Sequence, residues 1–358
     1  MFAIKDKIWG KVRQVLSLLE KPYSHLFILS DYGGWSIDED AKELGRIATE
    51  INIPATFSQK SFNVPQVFHY TSQFSLIDPS IYKKNNRISV DYYHGISDQE
   101  SFRNCFNSLK NNHSKISKVR VSNSIMENFL KTSGIDHQKI MRIPIAVDTQ
   151  VFKPQTESRK LEARSLLGIP EDAVVIGSFQ KDGVGWGQGY EPKLIKGPDI
   201  FIKVVEKLKK DIPNLWILLS GPSRGYVKNE LDKIGIPYRH KYPKDFRKLS
   251  ELYDAIDLYI ITSREEGGPK ACLESMSKGI PLVTTAVGQC VDLIVHGKNA
   301  MMTSIDDIDG LYKYSIEILK NNELADNLKI EGFKTAENNN HMSQLPLWKE
   351  YFKNLINF

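Results

Sequence analysis

Two α/β domains, each a parallel sheet covered by helices, form the architecture this sequence predicts, and three observations predict it. Short apolar runs with strand character alternate with helical stretches along most of the chain. That alternation breaks once, near the middle, at a segment carrying two prolines. The length of 358 residues with 41 % hydrophobic content exceeds what one ordinary domain holds. Two doubly wound domains facing each other follow from these three.

In order along the chain, residues 4–19 place Ile4, Ile8, Val12, Val15, Leu16 and Leu19 at spacings of three and four, which makes one apolar helical face with Trp9 at its edge. Lys5, Lys7, Lys11, Arg13 and Lys21 outnumber Asp6 and Glu20 around it. Two readings stand: a helix lying on an anionic membrane with Trp9 and Phe2 near the headgroups, or a helix packed on its own protein. The run Leu26 to Leu29 then leads through Asp31, Gly33 and Gly34 into a helical stretch, Glu39 to Glu50, and reads as strand, glycine turn, helix. Further strand-like runs lie at Gln66 to His69, Ile88 to Tyr93 and Val119 to Val121. These make a domain of residues 25–148, and the linker falls in IPIAVDTQVFKP, residues 143–154.

The second domain, residues 149–342, restarts with a strand at Val174 to Phe179, a helix at Phe201 to Leu208 and a strand at Leu215 to Gly221. A helix at Phe246 to Tyr253, a strand at Leu258 to Ser263, a helix at Lys270 to Lys278 and a strand at Pro281 to Thr284 complete it. Residues 343–358 carry Leu347, Trp348, Tyr351, Phe352 and Leu355 at helical spacing, so they pack against something.

Composition narrows the function. No apolar run approaches the roughly 20 residues that cross a bilayer, and no secretory leader is visible, so the chain is expected in the cytoplasm. Cys105, Cys272 and Cys290 are widely spaced, which gives no disulfide or zinc framework. A formal charge of +5, dispersed along the chain, requires no nucleic-acid partner.

The segment ITSREEGGPKACLESMSKGIPLVTT concentrates the chemistry. Gly267 and Gly268 let backbone approach a ligand just before a helix whose leading N–H groups favour an anion, and Pro269 suits a first helical turn. Glu266 in the glycine turn and Glu274 on the helix can address different parts of one extended ligand, where a carboxylate accepting hydroxyl hydrogens also orients it. Two glutamates at this spacing would otherwise be an acidic loop and a solvated helix face. Ser263 before them and Gly279-Ile-Pro281 with a strand after them favour the site.

This segment resembles the signature of retaining GT-B glycosyltransferases of glycosyltransferase family 4, which Ser263, Glu266, Gly267, Glu274, Met276, Gly279 and Pro281 fill. The runs IPIAVDTQVFKP, ELYDAIDLYIITS and VGQCVDLIVHGKNAMM resemble neighbouring parts of the same family, so the likeness spans nearly all of residues 120–302. It implies a GT-B fold whose aromatic C-terminal helix crosses back to the first domain, and a nucleotide-sugar donor bound without a metal or other cofactor. It also implies two basic residues on the donor diphosphate. Lys196, before Gly197, matches one; Lys181 stands where the family has Arg and supplies a point charge in place of a planar fork. The link between them, Asp182 to Ile195 with Trp186 and Tyr190, is longer than the family's and is either a cover over the sugar or a mobile surface turn.

In the first domain the resemblance assigns Gly33 and Gly34 to the diphosphate turn and His94 to the neighbourhood of the reacting sugar, with His69 a second candidate. The implied site is thus His94, Glu266 and Lys196 at the reacting centre, with Gly33, Gly34, Lys181, Gly267, Gly268, Pro269 and Glu274 on the donor. The acceptor would be a saccharide or glycolipid. Two other readings of the same architecture are a sugar-nucleotide epimerase or phosphorylase, and a nucleotide-sugar-binding protein without catalysis.

Overall fold

A computed structural model describes residues 20–30, 36–95 and 99–357. The N-terminal stretch read as an amphipathic helix, and the turn with Gly33 and Gly34, lie outside them. The chain divides into two compact units, one running to Ile145 and taking back the residues from His341 onward, the other Ala146–Asn340. Among the described residues no helix is long and apolar enough to cross a membrane.

The first unit contains β1 (Leu26–Leu29), α1 (Ser36–Glu50), β2 (Ala55–Ser58), β3 (Val67–Tyr70), β4 (Arg87–Asp91), α2 (Glu100–Asn111), β5 (Ile116–Val121), α3 (Ser124–Thr132) and β6 (Ile140–Arg142). Its six strands are parallel in the order β2-β1-β3-β4-β5-β6. Alternation along β1 shows how both faces are buried. Phe27 and Leu29 join Cys105 and Leu109 of α2 and Met126 and Leu130 of α3. Leu26 and Ile28 join Leu44 and Ile47 of α1 and Trp348, Tyr351 and Phe352 of the C-terminal helix Leu345–Phe352. That helix is the crossover helix, returned to the first unit by its aromatic stripe.

On the same face sits a buried charged cluster. His69 Nε2 lies 3.2 Å from Asp91 Oδ1, and its Nδ1 lies 2.8 Å from Ser89 Oγ. Arg120 Nη1 lies 3.2 Å from Asp91 Oδ2, and the Tyr93 hydroxyl donates to the same oxygen at 2.8 Å. Arg120 Nη1 also donates to the Tyr93 hydroxyl at 3.0 Å, its Nε and Nη2 donate to the carbonyls of Ile143 and Pro144, both at 3.0 Å, and its guanidinium lies 4.8 Å from the Trp348 ring. Burial alone would raise the Asp91 pKa, but Arg120 and then His69 outweigh it and hold the carboxyl below its ordinary value. His69, a candidate site residue in the sequence, is therefore enclosed as part of the core.

The second unit contains α4 (Glu157–Leu167), β7 (Val174–Phe179), α5 (Pro198–Asp211), β8 (Leu215–Ser220), α6 (Gly225–Ile234), β9 (Tyr238–His240), α7 (Leu249–Tyr253), β10 (Leu258–Ile261), α8 (Lys270–Ser277), β11 (Leu282–Thr285), α9 (Cys290–Leu293), β12 (Met301–Thr303), α10 (Ile308–Lys320) and α11 (Asn322–Asn338). Its parallel order, β12-β11-β10-β7-β8-β9, is the Rossmann order, with the reversal between β7 and β10. In the first unit the corresponding reversal lies between β1 and β3. Ligands of such sheets bind beyond the carboxyl ends of the strands at that reversal. All three cysteines are free and buried, yet Cys272 and Cys290 meet across α8 and α9; that contact, and then burial, pushes the Cys272 thiol well above its ordinary value.

Candidate functional site

In the second unit the carboxyl ends of β7 and β10 deliver Lys181 and Ser263 to the reversal point. The turn Leu194–Lys196 and Gly197 lead into α5 and supply Lys196. Its ammonium lies 2.5 Å from Glu266 Oε2, while the Ser263 hydroxyl donates to Glu266 Oε1 at 2.9 Å. Glu266 is thus fixed by a cation on one oxygen and a hydroxyl on the other.

Backbone packing makes this alignment possible. Gly197 has φ +62°, and a Cβ there would run into the Thr262 carbonyl, so only glycine lets the turn lie against the end of β10. The Thr262 hydroxyl donates to the Gly197 carbonyl at 2.8 Å, and the N–H groups of Arg264 and Glu265 donate to the Ile195 carbonyl at 2.8 and 3.1 Å. Arg264 completes the clamp: its fork donates to both oxygens of Asp199 at 2.8 Å, its Nε to Asp306 at 2.7 Å and its Nη1 to the Leu194 carbonyl at 2.6 Å. Its hydrogen bond with Asp199 is the main reason that the Arg264 pKa is raised. No sequence pattern singled out Arg264, because its partners lie 42 to 70 residues away.

The long link between Lys181 and Lys196 is a docked hairpin. Lys193 N donates to the Asp182 carbonyl at 2.7 Å and Val184 N to the Glu191 carbonyl at 2.9 Å. Its far end is seated on the start of α6, where Gly225 and Tyr226 donate to the carbonyls of Gln188 and Gly189 at 2.7 and 2.8 Å. Gly189, at φ +74°, lies so close to Ser223 that a side chain would strike its carbonyl. Beneath, fully buried Arg224 stands 2.9 Å from Asp182 Oδ1 and donates to the carbonyls of Ser178 and Ser220 at 2.6 and 2.7 Å. Trp186 is exposed at the hairpin tip, with the Lys181 ammonium 4.7 Å from its ring centroid.

Closing the hairpin gathers positive charge. Burial lowers the Lys181 pKa, and the neighbouring Lys196 lowers it further. Lys193 is pulled down to about 8, by burial first and then by Lys196 and Lys181, with Glu266 opposing. Lys193 was not a candidate in the sequence. A lysine three residues before the matching Lys196 carries no signal until the turn between them is known.

The other expected residues are placed as follows. Gly267 and Gly268 lie between Glu266 and α8, and Pro269 is the residue that caps α8, its carbonyl accepting from Cys272 N at 2.9 Å. Glu274 turns to the buried side of α8, where the Tyr253 hydroxyl donates to its Oε2 at 2.8 Å. Burial, and then the Glu274 charge, raises the Tyr253 pKa well above its ordinary value. His94 belongs to the first unit, at the exit of β4; its ring stacks on Phe102 at 5.4 Å, and its backbone is held at N–H and carbonyl by Gln73. The structure therefore gathers Lys181, Lys193, Lys196 and Glu266 around the glycine turn before α8, within one unit.

Residues 191–335 match the family model of Glycosyl transferases group 1. Among curated proteins, the chain is 27 % identical over 180 residues to a D-inositol 3-phosphate glycosyltransferase of Stackebrandtia nassauensis, covering 47 % of this chain and 38 % of that protein. It is 25 % identical over 174 residues to the lipopolysaccharide core biosynthesis mannosyltransferase LpsB of Rhizobium meliloti, covering 46 % of each. The match thus spans half or less of these relatives' length. Among solved structures, Anabaena Alr3699/HepE in complex with UDP and glucose superposes with a TM-score of 0.74 at 15 % identity, over 92 % of this chain and 100 % of that one. Sucrose-phosphate synthase from Thermosynechococcus elongatus gives 0.72 at 14 % identity, over 93 % and 99 %. The fold is accordingly GT-B: two Rossmann-like α/β units with a C-terminal crossover helix.

Proposed function

We propose that this protein is a retaining, metal-independent glycosyltransferase that moves a sugar from a nucleotide-sugar donor to a hydroxyl of a saccharide or lipid-linked acceptor, in the synthesis of cell-envelope polysaccharide or glycolipid. The observation that carries the reading is the Lys196–Glu266 pair, set among further lysines at the strand reversal of the second sheet. Breaking the bond between the anomeric carbon and the diphosphate leaves an electron pair on the leaving oxygen. Fixed cations and the N-terminal end of α8 stabilise that charge, which takes the place of a metal. The acceptor oxygen bonds to the anomeric carbon, and its proton passes to the departing diphosphate on the same face. Glu266 orients the donor through sugar hydroxyls, and donor phosphate competes with Glu266 for Lys196. Glu274 would take a ribose hydroxyl while it holds Tyr253. His94, Gly33 and Gly34 are proposed to meet the donor from the first unit, and residues 1–20 to touch an anionic membrane.

The binding of UDP by Alr3699/HepE makes UDP-sugars the first donors to test. The protein, with EDTA present, is incubated with UDP-, GDP-, ADP- and CMP-sugars, and release of nucleoside diphosphate or monophosphate is followed. Release with one donor, lost in Lys196→Ala and Glu266→Gln, supports the reading, and the anomeric proton signal of the product reports retention. A protein that neither hydrolyses nor binds any donor would sink it, and release that requires an added divalent cation would remove metal independence.

A further inference from the structure

We infer that Gln73 is the positioning residue for His94: its side-chain amide stands in for a missing strand and holds the backbone from which the His94 ring is presented. The inference rests on the proposed reading that places His94 near the reacting sugar. Its basis is the way the first sheet ends. Pairing of β4 with β5 runs one residue past β4, where Tyr92 N donates to the Arg120 carbonyl at 2.8 Å. On the other side β3 stops at Tyr70, and both the N–H and the hydroxyl of Thr71 turn back to the Leu29 carbonyl of β1, at 3.0 and 2.9 Å. Successive N–H groups of a strand face opposite neighbours, so the buried Tyr93 N–H faces the side where β3 has ended. Gln73, the first residue of the turn Gln73–Ile77, fills that place. Its Oε1 accepts from Tyr93 N and His94 N, both at 2.8 Å, and its Nε2 donates to the His94 carbonyl at 2.8 Å. An amide side chain carries the same donor and acceptor as a peptide group, so one residue supplies what a strand would.

One helix sets both the ring and the amide. Phe102 and Cys105 lie three apart on α2 and so share a face. Phe102 stacks on the His94 ring at 5.4 Å and 13°, and the Cys105 thiol bonds to the Gln73 side chain. Gln73 is itself almost wholly buried, and Leu76 of the same turn is anchored in the core, its carbonyl accepting from the Tyr82 hydroxyl at 2.9 Å. The amide thus sits on a fixed turn, 21 residues along the chain from the histidine it holds. Satisfying buried backbone groups requires only the bond to Tyr93, because His94 is partly exposed and water can serve its N–H and carbonyl. The two bonds to His94 go beyond that need. They fix the peptide groups on either side of its Cα, and with them the direction in which the side chain leaves.

The test compares wild type, Gln73→Met, Gln73→Glu, His94→Ala and the double variant Gln73→Met with His94→Ala. Donor turnover is referred to folded protein, and the His94 ring is followed by NMR of protein labelled at the histidine ring carbons, its signal assigned by loss in His94→Ala. Methionine keeps the length and removes every hydrogen bond of the amide; glutamate keeps the acceptor for both N–H groups and lacks the donor. Gln73→Met is expected to shift the His94 signal and to lower kcat about 10–100-fold, because a reacting centre tolerates little misplacement. The donor KM should stay within about twofold, since the proposed diphosphate site lies in the second unit. Gln73→Glu should recover part of the kcat. In the His94→Ala background Gln73→Met should lower kcat no further, as expected of residues that act as a unit. An unmoved His94 signal in Gln73→Met overturns the inference, as does the same fold-loss of kcat with and without His94. If wild type turns over no donor, the glycosyltransferase reading fails separately and the ring signal alone decides: a shift keeps the hold of Gln73 on His94, and no shift overturns that too.

Discussion

The two units bury charge in opposite ways. In the first, Asp91 is matched by Arg120, His69 and Tyr93, and the spare guanidinium hydrogens end on the Ile143 and Pro144 carbonyls. Nothing in that cluster asks for a further ion, and the aromatic crossover helix seals it. In the second, Lys196 holds Glu266 with further lysines nearby, and burial first, then the neighbouring lysines, lowers the pKa values of Lys181 and Lys193. The first cluster is complete within the fold, whereas the second leaves positive charge in excess at a strand reversal, where the donor phosphate is proposed to bind.

The largest effect that would break this contrast is expected at Arg120. Arg120→Met strips the guanidinium from Asp91 and should cost about 3–5 kcal/mol in urea unfolding, with Asp91→Asn in the same chain recovering part of it. A loss below about 1 kcal/mol would mean that the cluster is not structural. Lys196→Ala should do the reverse, lowering kcat/KM for the best donor about 10²–10³-fold while leaving the unfolding midpoint near that of wild type. If it unfolds the protein as readily as Arg120→Met, the second cluster belongs to the fold after all. Gly197→Ala forces a Cβ against the Thr262 carbonyl in a left-handed turn and should cost about 1–3 kcal/mol, together with donor affinity, because the Lys196 turn is displaced. Arg264→Ala is the mildest, expected at about 1 kcal/mol, since its partners at Asp199 and Asp306 are partly solvated. Its signature is a raised donor KM with little change in the midpoint.

The pH dependence separates the units as well. Asp91 has a folded-state pKa below its unfolded one. Its contribution is therefore complete above pH about 4 and disappears as pH falls through the depressed value. Diphosphate affinity, in contrast, should decline on the alkaline side through about 8 with Lys193. Unfolding and binding titrations on one preparation would show both edges.

Much of this was readable from the chain. The run Leu26–Leu29 is β1 without adjustment, and the strand-glycine-helix segment around Glu266 became β10, the turn and α8, because apolar runs bounded by glycine and proline have few alternatives. Strand β2 is not legible in the sequence: only Ser58 of its ATFS is buried, so this edge strand gives no apolar run. In the sequence the hairpin Asp182–Ile195 reads equally as a cover or a mobile turn, since glycine content cannot tell a free loop from one pressed against Ser223. His69 and His94 each follow β-sheet sequence in the same manner, yet one is enclosed between Asp91 and the crossover helix and the other stands at the strand exit.

By itself the sequence determined the alternation of strands and helices, the two-domain α/β class and the glycine turn before α8, and it singled out Lys196, Glu266 and Lys181 as candidates. These depend on periodicity and local turn chemistry, which a chain carries residue by residue. Only the tertiary structure decided that Lys196 meets Glu266 across 70 residues and that Arg264 locks the two turns together. Those facts depend on which loops a parallel sheet brings to its strand reversal. Neither distance is written along the chain.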